Sequence, residues 1–214
     1  MSMMQPHPLI RTVLAAATLL VMAACNRAPA TDAASIASAA PAPSRPAHAA
    51  PASPATASTA LAVGAQAPDF SAQAWQAGKP LGFNLADARA KGPVVVYFFP
   101  AAYTPGCNIE AHLFSQAIER FTAAGASVIG VTAGNADQLQ KFSADNERCA
   151  GRFPVAADPG ARIAAEYGVV LEKKPEWSNR TSFVVARDGR ILAVHSAPEP
   201  EGHVDAMLAG LKAP

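Results

Sequence analysis

Between positions 93 and 100 the chain reads PVVVYFFP, an unbroken β-branched and aromatic run bounded by prolines. Such a run predicts a strand covered on both faces, and therefore one near the centre of a sheet. Polarity then turns periodic. In TPGCNIEAHLFSQAIERFTAAG, Ile109, Leu113, Ala117, Ile118 and Phe121 share one helical face, and Gly125 supplies a stop. SVIGVTAG, 127–134, predicts a second buried strand, followed by a helix over 136–147 that carries Leu139 and Phe142. FPVAAD reads as a short strand and GARIAAEYG as a short helix. TSFVVARDGRILAVHSA gives two strands joined at Asp188-Gly189, a favoured hairpin-turn pair. A last helix over 202–212 presents Val204, Met207, Leu208 and Leu211, and the weakly patterned stretch 70–85 reads as a short hairpin. Strands alternating with helices of this length predict an α/β layered fold with a mostly parallel centre, to which the closing hairpin adds an antiparallel portion.

Upstream of this domain the pattern changes twice. Residues 1–24 have a short head with Arg11 and an apolar stretch over 13–24 in which only Thr18 is polar. That stretch is shorter than the roughly 20 residues of a spanning helix, so it predicts a secretion signal rather than a permanent transmembrane segment. Its ending, VMAAC, resembles a bacterial lipobox, which implies acylation of Cys25 and cleavage just before it; multiple acyl chains give stable membrane anchoring. The alternative is an ordinary signal cut after the A-x-A of Ala28, Pro29 and Ala30. Residues 25–60 are almost entirely Ala, Pro, Ser and Thr, which predicts a disordered, Pro-stiffened tether. The folded domain is expected over 61–214.

With 17 Lys plus Arg against 16 Asp plus Glu in 214 residues, and no long charge runs, no electrostatic footprint for nucleic acid exists. Setting Cys25 aside leaves Cys107 and Cys149, a pair in a compartment where disulfides persist.

Cys107 sits at a junction. With Thr104 as helix N-cap, Pro105 takes the first helical position, where its missing N–H costs nothing, and Cys107 the third. Unpaired amides and the positive end of the helix dipole favour a thiolate there. The middle of an apolar helical stripe would mark a structural cysteine, and the position reads as different from that. Gly106 leaves the backbone open to a small substrate.

FFPAAYTPGC carries the spacing Pro100-x-x-x-Thr104-x-x-Cys107, which resembles the peroxiredoxin active-site motif. TPGCNIEA is similar to the TPGCTTEA of the bacterioferritin-comigratory (Q-type) branch. VGAQAPDF at 63–70 resembles the family's opening, and NRTSFVVARDGRI at 179–191 its later strand with a preceding arginine. The resemblance implies a thioredoxin-like fold, with a central mixed sheet flanked by helices, and reduction of hydroperoxides without metal or organic cofactor. It assigns Cys107 as the peroxidatic nucleophile, Thr104 as hydrogen-bond partner of peroxide and sulfur, and Arg180 as stabiliser of the thiolate and of the developing oxygen charge. Pro100 shields the sulfur, the amides of Gly106 and Cys107 add donors, and Glu110 is a supporting residue that dipole stabilisation alone also explains.

Q-type members often carry a resolving cysteine five residues after the first, where this chain has His112. Cys149 is then the candidate resolver, with an external thiol as the alternative; bridging needs Cα atoms within about 7 Å. His195 and His203 lack metal-site spacing and read as solvated or core histidines, while Trp177 and Tyr103 are candidate pocket walls. A disulfide oxidoreductase or copper chaperone on the same fold would need a second cysteine that residues 108–111 do not supply. A catalytically silent envelope binding module is the remaining rival. The expected partners are a hydroperoxide, a thioredoxin-like or low-molecular-weight thiol reductant and, through Cys25, a membrane; the protein is expected as a periplasm-facing envelope lipoprotein, monomeric or dimeric.

Overall fold

The computed structural model describes residues 59–212. The signal segment 1–24, Cys25 and the tether up to residue 58 lie outside the described residues.

A seven-stranded sheet forms the middle layer, in the order β2-β1-β5-β4-β3-β8-β9. At its centre β3 (Val94–Phe98) is buried at every position, as the apolar run predicts. It pairs in parallel with β4 (Ser127–Thr132), which pairs in parallel with β5 (Val155–Ala157). On its other side β3 pairs antiparallel with β8 (Thr181–Val185), which turns through Gly189 into β9 (Ile191–Ser196). The 70–85 region is the expected hairpin, β1 (Ser71–Gln76) and β2 (Lys79–Asn84). Ala77 and Gly78 both have positive φ, the two-residue turn that follows strand twist. Pro80 is tolerated because β2 is an edge strand.

Side chains of β3 alternate between two cores. Val95, Tyr97 and Phe99 face a layer that includes α2 (Pro105–Ala123), α3 (Leu139–Ala144) and α5 (His203–Gly210). Val94, Val96 and Phe98 face α1 (Leu85–Arg89) and α4 (Arg162–Glu166) through Leu85, Ile163 and Ala164. In the first core an aromatic ladder runs from Phe121 through Phe114, Tyr97 and Phe99 to Phe142 and Tyr103, with centroid separations of 4.3–5.8 Å. Each such pair adds about 0.5–1.5 kcal/mol beyond its buried area, so the ladder fixes α2 and α3 against the sheet.

Three elements differ from the sequence reading. The buried face of α2 is Cys107, Glu110, Ala111, Phe114, Ser115, Ala117 and Phe121, while Ile109 is 45% exposed. Cys107 therefore does lie on the buried stripe, as well as in the first turn. The helix expected over 136–147 is a 3-10 turn, Ala136–Gln138, followed by the shorter α3. It ends early because Asp145 leaves helical geometry and its Oδ1 accepts from the Glu147 amide at 3.0 Å and from Arg148 Nη1 at 3.1 Å. A two-stranded ribbon of β6 (Val170–Leu171) and β7 (Lys174–Ser178) had no apolar pattern to announce it.

Candidate active site

The loop between β3 and α2 is pinned on both sides. Phe99 donates its amide to Val131 O (3.1 Å) and Ala102 its amide to Gly134 O (3.3 Å), while Asn135 Nδ2 donates to Ala102 O (2.8 Å). Thr132 Oγ1 donates to Pro100 O at 3.1 Å, and Ser178 Oγ to Phe99 O at 2.9 Å. Residues 99–102 thus extend β3 alongside the end of β4, and Ser178 brings the residues before β8 against them.

Thr104 is the N-cap of α2 by position, with extended backbone, and Pro105 occupies the first turn as expected. Its hydroxyl does not cap the helix; it donates to Ala101 O at 3.0 Å. The first-turn amides of Gly106 and Cys107 consequently have no intrahelical acceptor and stay available to a ligand. Cys107 is 1% exposed, and Pro100, Thr104 and Gly106 around it are half-buried.

Arg180 is spread over three partners. Nη2 lies 3.6 Å from Cys107 Sγ, Nη1 donates to Glu110 Oε2, and Nε donates to Pro198 O at 2.9 Å. The guanidinium is nearly buried, yet Glu110 and Cys107 outweigh the lowering effect of burial and hold its pKa above the ordinary value. Gly106 makes this approach sterically feasible: a β-carbon there would stand 2.8 Å from Nη2.

Glu110 is fully buried, and burial outweighs its guanidinium partner, pushing the carboxyl up to about 8. Behind it stand two residues that sequence reasoning left as core or did not mention. His203, first residue of α5, places Nδ1 3.6 Å from Glu110 Oε1 and 2.8 Å from Ser182 Oγ on β8. Nothing local in the sequence links positions 110, 182 and 203, so no motif could have announced the cluster.

The structure thus brings Gly106, Cys107, Glu110 and Arg180 together, with Thr104 at the N-cap of the same helix and Pro100 in the loop that leads into it. Cys149 lies in the loop after α3, fully buried in the same core cluster as Cys107, and the two thiols are unbonded. Trp177 packs beside Gly134 and the Pro100 carbonyl, with Lys174 Nζ 3.0 Å from its ring centroid. Tyr103, with φ of 63°, instead turns away toward Phe142 and Arg148. A groove of about 1030 Å³ between the β1–β2 hairpin and the loops at Gly92 and Gly125 contains none of these residues.

Residues 63–194 match the AhpC/TSA family. The chain is 31% identical over 146 residues to chloroplastic peroxiredoxin Q of Sedum lineare, covering 68% of this chain and 75% of that protein. It is 32% identical over 133 residues to the Suaeda salsa counterpart, covering 61% of each. Among solved structures, peroxidoxin BcpB from Mycobacterium tuberculosis superimposes with a TM-score of 0.60 at 32% identity, covering 70% of this chain and 96% of that one. AhpC of the same organism shares the fold with a TM-score of 0.62 at 22% identity, covering 72% and 93%. The thioredoxin-like α/β fold agrees with these likenesses: the chain belongs to the AhpC/TSA family and is a peroxiredoxin, a thiol-dependent peroxidase.

Proposed function

We propose that this enzyme reduces hydrogen peroxide and organic hydroperoxides through Cys107. The reading is carried by one relation, the 3.6 Å approach of Arg180 Nη2 to Cys107 Sγ in the first turn of α2. Cys107 thiolate attacks the terminal peroxide oxygen; the S–O bond forms as the O–O bond breaks, and the alkoxide or hydroxide leaves and takes up a proton. The product is a sulfenic acid. Arg180, Thr104 Oγ1 and the amides of Gly106 and Cys107 are the donors for the charge that develops on the oxygens, and such preorganised donors are each worth about 10²–10³ in rate. Pro100 closes the pocket over the sulfur, and Glu110 holds the guanidinium.

Cys149 then resolves the intermediate: its sulfur attacks Cys107 Sγ, the disulfide forms and water leaves. A thioredoxin-like or low-molecular-weight thiol returns both cysteines to thiols. The second route, direct attack by an external thiol, is favoured by one observation. Cys149 is fully buried and burial pushes its thiol up, so it becomes a nucleophile only after local opening. The signal-like sequence 1–24 and its lipobox-like ending at Cys25 support a periplasm-facing, lipid-anchored location.

Intact mass spectrometry after one equivalent of hydrogen peroxide tests both levels. Loss of two hydrogens in the wild type and gain of one oxygen in Cys149→Ser support the resolving role; equal products refute it. A Cys107→Ser variant that still consumes peroxide refutes the whole reading.

A further inference from the structure

His203 is fully buried, and both of its ring nitrogens are engaged. Nε2 lies 3.2 Å from Ala197 O, which can only accept, so Nε2 carries a proton. Burial lowers the pKa of this ring to about 4, so near neutrality it is uncharged and Nδ1 is a bare lone pair. That lone pair accepts from Ser182 Oγ at 2.8 Å, and Nδ1 lies 3.6 Å from Glu110 Oε1, beyond hydrogen-bond distance. Oε1 has no hydrogen-bond partner among the described residues, although its carboxyl is completely buried. Nδ1 and an ionised Oε1 are both negatively polarised and repel, whereas a proton on Oε1 turns the contact attractive.

The geometry points to a buried proton site made by Glu110 Oε1, His203 Nδ1 and Ser182 Oγ, which positions Arg180 and keeps Glu110 from neutralising the guanidinium that faces Cys107. With Glu110 protonated, the cation has one anionic partner, the Cys107 thiolate. With Glu110 ionised, two anions share it and the sulfur loses part of its stabilisation. His203 and Ser182 are positioning residues, acting through Glu110 and Arg180 rather than on the peroxide. The titratable and charged groups facing Glu110 are Cys107 on its own helix, Arg180 before β8, His203 on α5 and the Tyr97 hydroxyl on β3; His195 on β9 meets the His203 ring edge-on at 4.5 Å. The inference builds on the peroxidase reading of Cys107.

The site predicts opposite responses to its two flanking substitutions. Hydrogen bonding to the neutral form of a carboxyl raises its pKa. His203→Leu removes the negatively polarised nitrogen beside Oε1, a contact that favours the neutral carboxyl, so the titration of Glu110 moves to lower pH. Ser182→Ala removes the competing donor to Nδ1, so the same titration moves to higher pH. Each shift is below about one pH unit, the weight of a full hydrogen bond, because the 3.6 Å contact is longer than one. His203→Asn, which returns an acceptor near the Nδ1 position, brings the titration back toward wild type.

Infrared titration of the reduced full-length protein reads Glu110 directly through its carboxylic-acid band, identified by its absence in Glu110→Gln. The rate of Cys107 oxidation by hydrogen peroxide, followed in parallel, is expected to fall above an inflection near pH 8 in the wild type and to follow the infrared shifts in the variants. Shifts of opposite sign support the site. Coincident titrations, or shifts of the same sign, overturn it; if His203→Leu does not fold, the site still requires an upward shift in Ser182→Ala and a near-wild-type value in His203→Asn. Failure of Cys107 to react with peroxide would sink the functional reading alone, because the infrared titration does not depend on turnover.

Discussion

Residue 106 has no side chain where Arg180 Nη2 approaches the helix, and a β-carbon there would lie 2.8 Å from that nitrogen. Gly106→Ala therefore has to displace the guanidinium, since the other side of the contact is the helix backbone. The expected result is a fall of about 10²-fold in the rate of Cys107 oxidation, with at most about 1–3 kcal/mol of overpacking cost. Stopped-flow measurement of peroxide reaction beside thermal unfolding checks it; an unchanged rate would remove Arg180 from the reaction.

Glu110 and His203 give the stability of the domain opposing pH slopes. Glu110 has a folded pKa of about 8 against an ordinary 4.5, so the folded state retains a proton that the unfolded chain releases. Its contribution is fully present below pH 4.5 and is lost as pH rises through about 8. His203 goes the other way: its pKa drops from 6.5 to about 4, and its contribution is lost as pH falls through that window. Denaturant unfolding of Glu110→Gln should lack the decline between pH 4.5 and about 8 and keep the one that His203 gives on acidification, and a parallel pair of profiles would contradict this assignment.

Local and distant parts of the site differ in how far they were legible. Thr104, Pro105, Gly106 and Cys107 are neighbours, so their helix-start geometry could be read from four letters. Arg180 came only through family resemblance, because β8 reaches Cys107 by pairing with β3 across the sheet. His203 and Ser182 were silent for the same reason, each being an unremarkable residue until α5 packs on α2. Periodicity misled at Ile109, an apolar residue at helical spacing that points outward, and passed over Phe114, which the stack on Tyr97 at 4.3 Å makes central. Along β3, where burial is complete at every position, an apolar run was enough, and the turn at Asp188-Gly189 marked β8 and β9.

Cys149 should be chemically quiet in the reduced enzyme. In a Cys107→Ser background, maleimide labelling of Cys149 is expected to be about 100-fold slower than in denaturant, the protection that an opening free energy of about 3 kcal/mol provides. Labelling at the denatured rate would mean that its loop is already open, and the burial argument for an external reductant would lapse.

Tyr97 carries a buried hydroxyl with no hydrogen-bond partner among the described residues, and burial holds its pKa well above the ordinary value. Leaving such a group unsatisfied costs about 1–3 kcal/mol. Tyr97→Phe keeps the ring stacked on Phe114 and Phe99, so a rise in Tm at undiminished peroxidase rate is expected. A fall in Tm would point to a contact of the hydroxyl that outweighs its desolvation.

Arg180 fastens three stretches that are far apart along the chain: the start of α2, the segment after β9 that holds Pro198, and its own place before β8. None of these meets another until β8 has zipped onto β3 and the C-terminal strand has followed. A nascent or partly unravelled chain consequently bears a thiol without its guanidinium partner. Speed of attack on peroxide becomes a gauge of completed folding, and damage to any one of the three stretches would mute the chemistry before the protein visibly came apart.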